Sequence, residues 1–294
     1  MRDNPLKWDD EAPQGVLAPF EGVDGLSPPP SLLGLPSGSS WLTARSLRSD
    51  AMAGPSVRAT LDEVATALSA ASAGQGGWRR YLSDVSENDR AMVFDALGEG
   101  EVSILISAAA TGAWDAQIQE SVLPGVWIGR AIDETGTVRS EIIEVGSAPR
   151  ALVEAADLRP RPTLPLDQLT PPAGAMNVMS ILAEIRDRAL AWTPGERNHV
   201  MNFTLMPMTP ADSAFLAETL GEVGVRVTSG GYGTARVIMT AVKNVWAIQF
   251  VNGVGTVILD TVEVGGVPDA ILASREDFED SAERLASILK GYQA

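Results

Sequence analysis

The chain has 294 residues, 45% of them hydrophobic and 20% charged, a composition that fits one large globular domain or two small ones. It contains no cysteine, which excludes disulfides, thiolate nucleophiles and thiolate-held zinc or iron–sulfur groups within the chain. With 22 basic against 38 acidic side chains the net charge is −16, which repels the phosphate backbone of nucleic acid, favours basic partners and also promotes solubility. Met1-Arg2-Asp3-Asn4-Pro5 lacks the basic and then apolar pattern of a secretion signal, and no uncharged apolar run reaches the roughly 18 residues of a membrane span. The expectation is a cytoplasmic protein without membrane insertion.

Residues 1–57 form a Pro/Gly-rich arm, with Ser27-Pro28-Pro29-Pro30-Ser31 and Leu35-Pro36-Ser37-Gly38-Ser39-Ser40 too rich in breakers for a long helix. Its apolar residues Leu17, Phe20, Leu32, Leu33, Leu35 and Trp41 predict that it docks at least in part. A first module follows over 58–157. Leu61, Val64, Ala65 and Leu68 predict a helix over 59–72. Ser86, with Asp89 three residues later, predicts the start of a second helix, 88–97, that Gly98 stops. Alternation at Val102, Ile104 and Ile106 predicts a strand, and further strands are expected over 114–121, 125–132 and 137–145. Asp133-Glu134-Thr135-Gly136 is hairpin-turn chemistry, and Pro149 opens another short helix.

A Pro-rich segment over 158–175, beginning Leu158-Arg159-Pro160-Arg161-Pro162, reads as an extended linker. The second module, 176–294, begins with a helix over 178–192. Thr209, Pro210 and Asp212 then predict a capped helix over 211–220, stopped by Gly221. Val225 and Val227 alternate in a strand, and strands over 234–242, 244–251 and 256–264 follow, with Asn252-Gly253-Val254-Gly255 as a turn. Pro268 is expected to open a short helix as Pro149 does, and 275–290 is an amphipathic helix with Phe278, Ala282, Leu285 and Leu289 on one face.

The two modules repeat each other. Ser86 and Gly98 match Thr209 and Gly221 at an offset of 123, and Trp127 and Pro149 match Trp246 and Pro268 at an offset of 119. The four-residue difference is a change in loop length. Short connections between strands force antiparallel neighbours. The fold class is therefore α+β: a tandem duplication of an α/β module with an antiparallel sheet and flanking helices, expected to be pseudo-twofold.

Little in the chain resembles catalytic chemistry. His199 is the single histidine, so a nucleophile–histidine–acid triad would depend on it, and no Gly-x-Ser-x-Gly elbow surrounds any serine. The close carboxylates Glu99 with Glu101 and Glu141 with Glu144 sit near a helix end and on a strand, where solvated charge is the ordinary explanation. Ser229-Gly230-Gly231-Tyr232-Gly233 joins two strands instead of opening a helix, which removes the phosphate-cradle reading and leaves a turn that can meet a partner. Trp127 and Trp246 hold equivalent strand positions, as core aromatics or as ligand stackers. No catalytic group, cofactor or metal is expected. The residues nominated for partner contact are Gln119, Glu120, Trp127, Gly231, Tyr232, Gly233 and Trp246. They are expected to cluster where the modules meet, with a small-molecule-binding or hydrolytic protein using His199 and nearby carboxylates as the alternative.

The runs Leu97-Gly98-Glu99-Gly100-Glu101-Val102-Ser103 and Ile118-Gln119-Glu120-Ser121-Val122-Leu123-Pro124-Gly125-Val126-Trp127 resemble the HupH/HyaF hydrogenase expression/formation proteins. So do Leu205-Met206-Pro207-Met208-Thr209-Pro210-Ala211-Asp212, Ile258-Leu259-Asp260-Thr261-Val262-Glu263-Val264 and Asp280-Ser281-Ala282-Glu283-Arg284-Leu285, and together the similarity covers roughly residues 58 to 291. Family members often carry a Cys after the Gly-Tyr-Gly turn; Thr234-Ala235-Arg236 stands there in this chain, so the resemblance implies no thiol-borne redox or cluster role for it. It does imply a cytoplasmic accessory factor in maturation of an uptake [NiFe] hydrogenase. Its implied partners are the iron–sulfur small-subunit precursor, which carries a twin-arginine signal, and other accessory proteins.

Overall fold

A computed structural model describes residues 54–111, 114–230, 234–252 and 257–291. Residues 1–53, 112–113, 231–233, 253–256 and 292–294 lie outside the described residues, and with them the expectations of a docking arm, of a partner-facing turn at Gly231, Tyr232 and Gly233, and of a turn over 253–256. The chain separates into two compact units. One takes in the described residues up to Ala155, Val227–Ser229 and the segment from Asp269 onward; the other takes in Ala156–Arg226 and Gly230–Pro268.

The first unit contains α1 (Pro55–Ser72), β1 (Trp78–Tyr81), α2 (Glu87–Leu97), β2 (Val102–Ile106), the single turn α3 (Ala108–Thr111), β3 (Asp115–Glu120), β4 (Val126–Ile132), β5 (Val138–Val145) and α4 (Arg150–Asp157). The local signals act as the sequence implies. Ser86 accepts the Asp89 amide at 3.1 Å to cap α2, and the Gly98 amide returns to the Phe94 carbonyl at 2.8 Å to end it. Strand order is β1-β5-β4-β3-β2, with β1–β5, β5–β4, β4–β3 and β3–β2 all antiparallel. One face of this sheet packs under α1 and α2 through Leu61, Val64, Val93, Leu97, Ile128 and Ile143.

The C-terminal helix α7 (Arg275–Gly291) belongs to this core and not to the second module to which its sequence position attached it: Phe278, Leu285 and Leu289 pack with Leu61, Leu68 and Val126. Its start is fixed by a reciprocal cap, the Asp277 amide donating to Ser274 Oγ at 3.2 Å and the Ser274 amide to Asp277 Oδ2 at 2.7 Å. Phe278 lies on Gly125, where a Cβ would stand 2.4 Å from the ring. The helix expected after Pro268 does not form. The Leu272 amide closes a turn on the Asp269 carbonyl at 3.1 Å, because buried Ile271 and Ala273 leave too short a run before the Ser274 cap.

The second unit contains α5 (Val178–Ala191), β6 (His199–Asn202), α6 (Pro210–Leu220), β7 (Glu222–Ser229), β8 (Thr234–Thr240), β9 (Val245–Val251) and β10 (Val257–Val264), with strand order β7-β8-β9-β10-β6. The pairs β8–β9, β9–β10 and β10–β6 are antiparallel. Ile181, Leu182, Ile185, Leu216 and Leu220 pack on Ile238, Val245, Ala247 and Val262. The arrangement is thus α+β in both units, and α5, β6, α6 and β7–β10 of the second repeat α1, β1, α2 and β2–β5 of the first.

When the buried Val57, Leu61 and Val64 of α1 are aligned with Val178, Leu182 and Ile185 of α5, the buried Ala67 falls opposite the exposed Arg188. An alanine lets α7 approach α1, whereas an arginine keeps the matching side of α5 in water.

The Pro-rich linker is a strap on the second unit instead of a free spacer. The Arg161 amide donates to the Ala241 carbonyl at 3.0 Å, the Lys243 amide donates to the Arg161 carbonyl at 2.8 Å, and Leu164 enters the core. Close approach of a different kind occurs at Gly100, where a Cβ would fall 2.1 Å from the Ser121 carbonyl oxygen. We expect Gly100→Ala to destabilise the first unit by about 1–3 kcal/mol through forced separation of the chain from the end of β3, read as a lower urea midpoint. An unchanged midpoint would show that the backbone yields there freely.

Candidate functional site

Four of the seven nominated residues are described, and all four are buried. Gln119, on β3, accepts from Ser103 Oγ at 2.6 Å, and its Nε2 lies 3.1 Å from the carbonyls of both Gly100 and Val102. Its amide is consumed in holding the approach to β2. The Trp127 ring is wholly enclosed, its Nε1 donating to the Gly146 carbonyl at 2.8 Å, and Trp246 is 1% exposed. Neither ring presents exposed area to a partner in this arrangement, so the nomination of both tryptophans for surface contact is corrected to a core position. The alternation that placed them on matching strands is the same alternation that turns them inward.

Glu120 differs from its neighbours. It is a buried carboxylate whose Oε1 accepts one long bond, from the Gly125 amide at 3.3 Å. Burial pushes its pKa up to about 7; the Gly125 amide opposes the shift, and the Asp277 and Glu101 carboxylates add to it.

In the second unit, Asp212 is fully buried at the start of α6. Its Oδ1 accepts the amides of Met176, Asn177 and Val178 at 2.8, 2.9 and 3.0 Å, and its Oδ2 accepts the Thr209 amide at 3.0 Å. Thr209 Oγ1 lies 2.9 Å from Oδ2 and 3.0 Å from the Gly174 carbonyl, and donates to one of them at a time. One carboxylate therefore caps both α6 and α5. Burial alone would raise its pKa, but these bonds hold it below the ordinary carboxylate range.

Arg159, read in the sequence only as part of the linker, is 7% exposed and lies with its guanidinium 4.2 Å from the centre of the Trp246 ring. Its Nη1 donates to the Val242 and Val245 carbonyls at 2.7 and 2.6 Å. Burial pulls its pKa down to about 9 against the favourable influence of Asp157. An arginine amid prolines and leucines was the available signal, and composition alone did not separate it from a solvated linker charge.

His199 begins β6 with Nε2 3.0 Å from Glu184 Oε1, both half-exposed. A cavity of about 390 Å³ lies beside α6, lined by Arg161, Pro165, Gln168, Leu169, Phe215, Glu218 and Thr219, and His199 is not among its walls. Around β6, which among the described residues has a strand neighbour on one side, the surface is apolar: Met176 is 79%, Val200 52% and Leu205 82% exposed, and Met206 is also exposed. Asn177 Nδ2 donates to the Pro207 carbonyl at 2.7 Å, which ties the Met176 segment to that of Leu205 and Met206. Among the described residues no helix is long and apolar enough to cross a membrane.

Comparison with known proteins places this arrangement. The profile described as HupH hydrogenase expression protein, C-terminal conserved region, matches residues 56–159 and 175–292, which are the two repeated modules. The chain is 43% identical over 232 residues to the hydrogenase expression/formation protein HupH of Rhizobium leguminosarum bv. viciae, covering 79% of this chain and 80% of that one. It is 42% identical to the hydrogenase expression/formation protein HoxQ of Cupriavidus necator, covering 80% and 79%. It is 31% identical to the hydrogenase-1 operon protein HyaF of Escherichia coli, covering 70% of each. The chain belongs to the HupH family of hydrogenase expression/formation proteins.

Proposed function

We propose that this chain is a non-catalytic assembly factor in the maturation of an uptake [NiFe] hydrogenase. It acts in the cytoplasm, where it holds the immature iron–sulfur small subunit or its twin-arginine signal segment. The observation that carries the reading is the match, over about four-fifths of the chain, to proteins named for hydrogenase expression and formation. Two physical features support a polypeptide partner. The net charge of −16 attracts a basic segment. The exposed Val200, Leu205 and Met176 beside β6 offer an apolar surface next to a strand edge, where an extended segment can add and methionine side chains adapt to varied contacts.

The test is binding of the full-length protein to the small-subunit precursor of its own host, with and without the signal segment, at low and moderate salt. Signal-dependent binding that weakens with salt is expected. Failure to bind either form would overturn the reading. On the same assay, Leu205→Glu is expected to weaken binding about tenfold while leaving stability within about 0.5 kcal/mol, since the side chain is 82% exposed. Undiminished binding would move the contact away from β6.

A further inference from the structure

The Arg159–Trp246 pair has more donors than the described residues supply acceptors for. Among them, only Nη1 of Arg159 is engaged, by the carbonyls of Val242 and Val245. Its Nε and Nη2 are buried and find no acceptor among the described residues, and neither does Nε1 of Trp246. The internal repeat provides the comparison: the matching Trp127 satisfies its indole N–H on Gly146 at 2.8 Å. Three buried donors, two of them on a cation, are therefore uncompensated around one ring, an arrangement that costs free energy unless an acceptor arrives.

The geometry of the free donors specifies the acceptor. Nε–H and the outer Nη2–H point in parallel from one edge of the guanidinium, at the spacing of the two oxygens of a carboxylate. Water could satisfy the hydrogen bonds, but it would add no negative charge to a buried cation on which the influence of Asp157 is outweighed by burial. We propose that Arg159 and Trp246 form a carboxylate-binding site. The carboxylate bridges Nε and Nη2 of Arg159, and the indole N–H of Trp246 is the third donor available to it. The donors are covered in the free protein, so binding requires the Arg159 strap to lift. This site goes beyond the assembly-factor reading and does not depend on it. A free small carboxylate and the carboxylate of a partner polypeptide share the required chemistry.

The experiment follows the Trp246 indole N–H, assigned with Trp246→Phe, in proton–nitrogen spectra of the full-length protein during titration with sodium acetate. Sodium chloride at equal ionic strength is the control. A saturable shift with acetate and none with chloride is expected. Arg159→Lys keeps the charge but gathers its donors on a single nitrogen and loses the planar fork, and should weaken acetate about tenfold. Arg159→Met should abolish the shift, and if that variant does not fold, Arg159→Lys carries the test.

A peptide ending in a free carboxylate, compared with its amidated form, distinguishes the sources. Binding at least tenfold tighter than acetate and lost on amidation indicates a polypeptide carboxylate, and binding no tighter than acetate indicates a small molecule. A non-saturating shift, an equal shift with chloride, or full acetate affinity in Arg159→Lys would overturn the site.

Discussion

Replacing Asp212 with alanine is expected to cost the second unit about 3–5 kcal/mol, the largest effect of any single substitution considered. The carboxylate is fully buried and accepts the amides of Met176, Asn177, Val178 and Thr209. Deleting it strands four backbone donors at the adjoining starts of α5 and α6, and removal of a charged, multiply bonded acceptor costs several kcal/mol. Asp212→Asn keeps one acceptor oxygen but turns an NH₂ towards donors, so a smaller loss is expected.

The pH dependence has a definite sign. The hydrogen bonds depress the carboxyl pKa below its ordinary value of 3.8. The contribution is therefore complete above about pH 4 and is lost as pH falls through the depressed folded-state value, because the unfolded chain then binds the proton more readily. Urea unfolding of the wild type and Asp212→Ala at pH 7 measures the first effect, and acid titration the second. A difference below about 1 kcal/mol at pH 7 would falsify the double-cap role.

Glu120 is expected to act in the opposite direction. Burial raises its pKa from 4.5 to about 7, so the folded state holds this proton more tightly than the unfolded state does. Stability is fully present below about pH 4.5 and falls as pH rises through 7, by about 3 kcal/mol for a shift of this size. Glu120→Gln retains an acceptor for the Gly125 amide and removes the titration. It should match the wild type near pH 4.5 and exceed its stability at pH 8 by up to about 3 kcal/mol. The comparison requires urea midpoints at both pH values, and a variant that is less stable at pH 8 would mean that Glu120 is ionised and compensated in the fold. The neighbouring Asp277 and Glu101 carboxylates raise the pKa further, so an approaching cation would oppose the shift.

These two carboxylates illustrate how far the sequence could be read. Thr209 and Asp212 are legible as a cap on α6 because the contact spans three residues, and the structure has the reciprocal cap there. The bonds from Asp212 to the start of α5 cross 34 to 36 residues, and nothing in the local pattern encodes them. Glu120 sits in a strand whose alternation is readable, but its raised pKa depends on burial and, to a smaller degree, on Gly125 and on Asp277 of α7. The strands β1 and β6, four residues each, were not legible, since a run that short shows no period.

The sequence by itself determined the α+β class, the internal repeat and most helix starts and stops. These follow from contacts within a few residues, such as Ser86 to Asp89, and from periodicities that any chain of this pattern must express. Tertiary structure alone decided which core receives α7, that the Arg159–Leu164 segment is a strap, and that Trp127 and Trp246 are enclosed. Each of these depends on whether a surface formed elsewhere in the chain is small and apolar, as at Ala67, or large and charged, as at Arg188. Burial is a property of the assembled neighbours, so the same residue type reads as solvated linker or buried cation until those neighbours are in place.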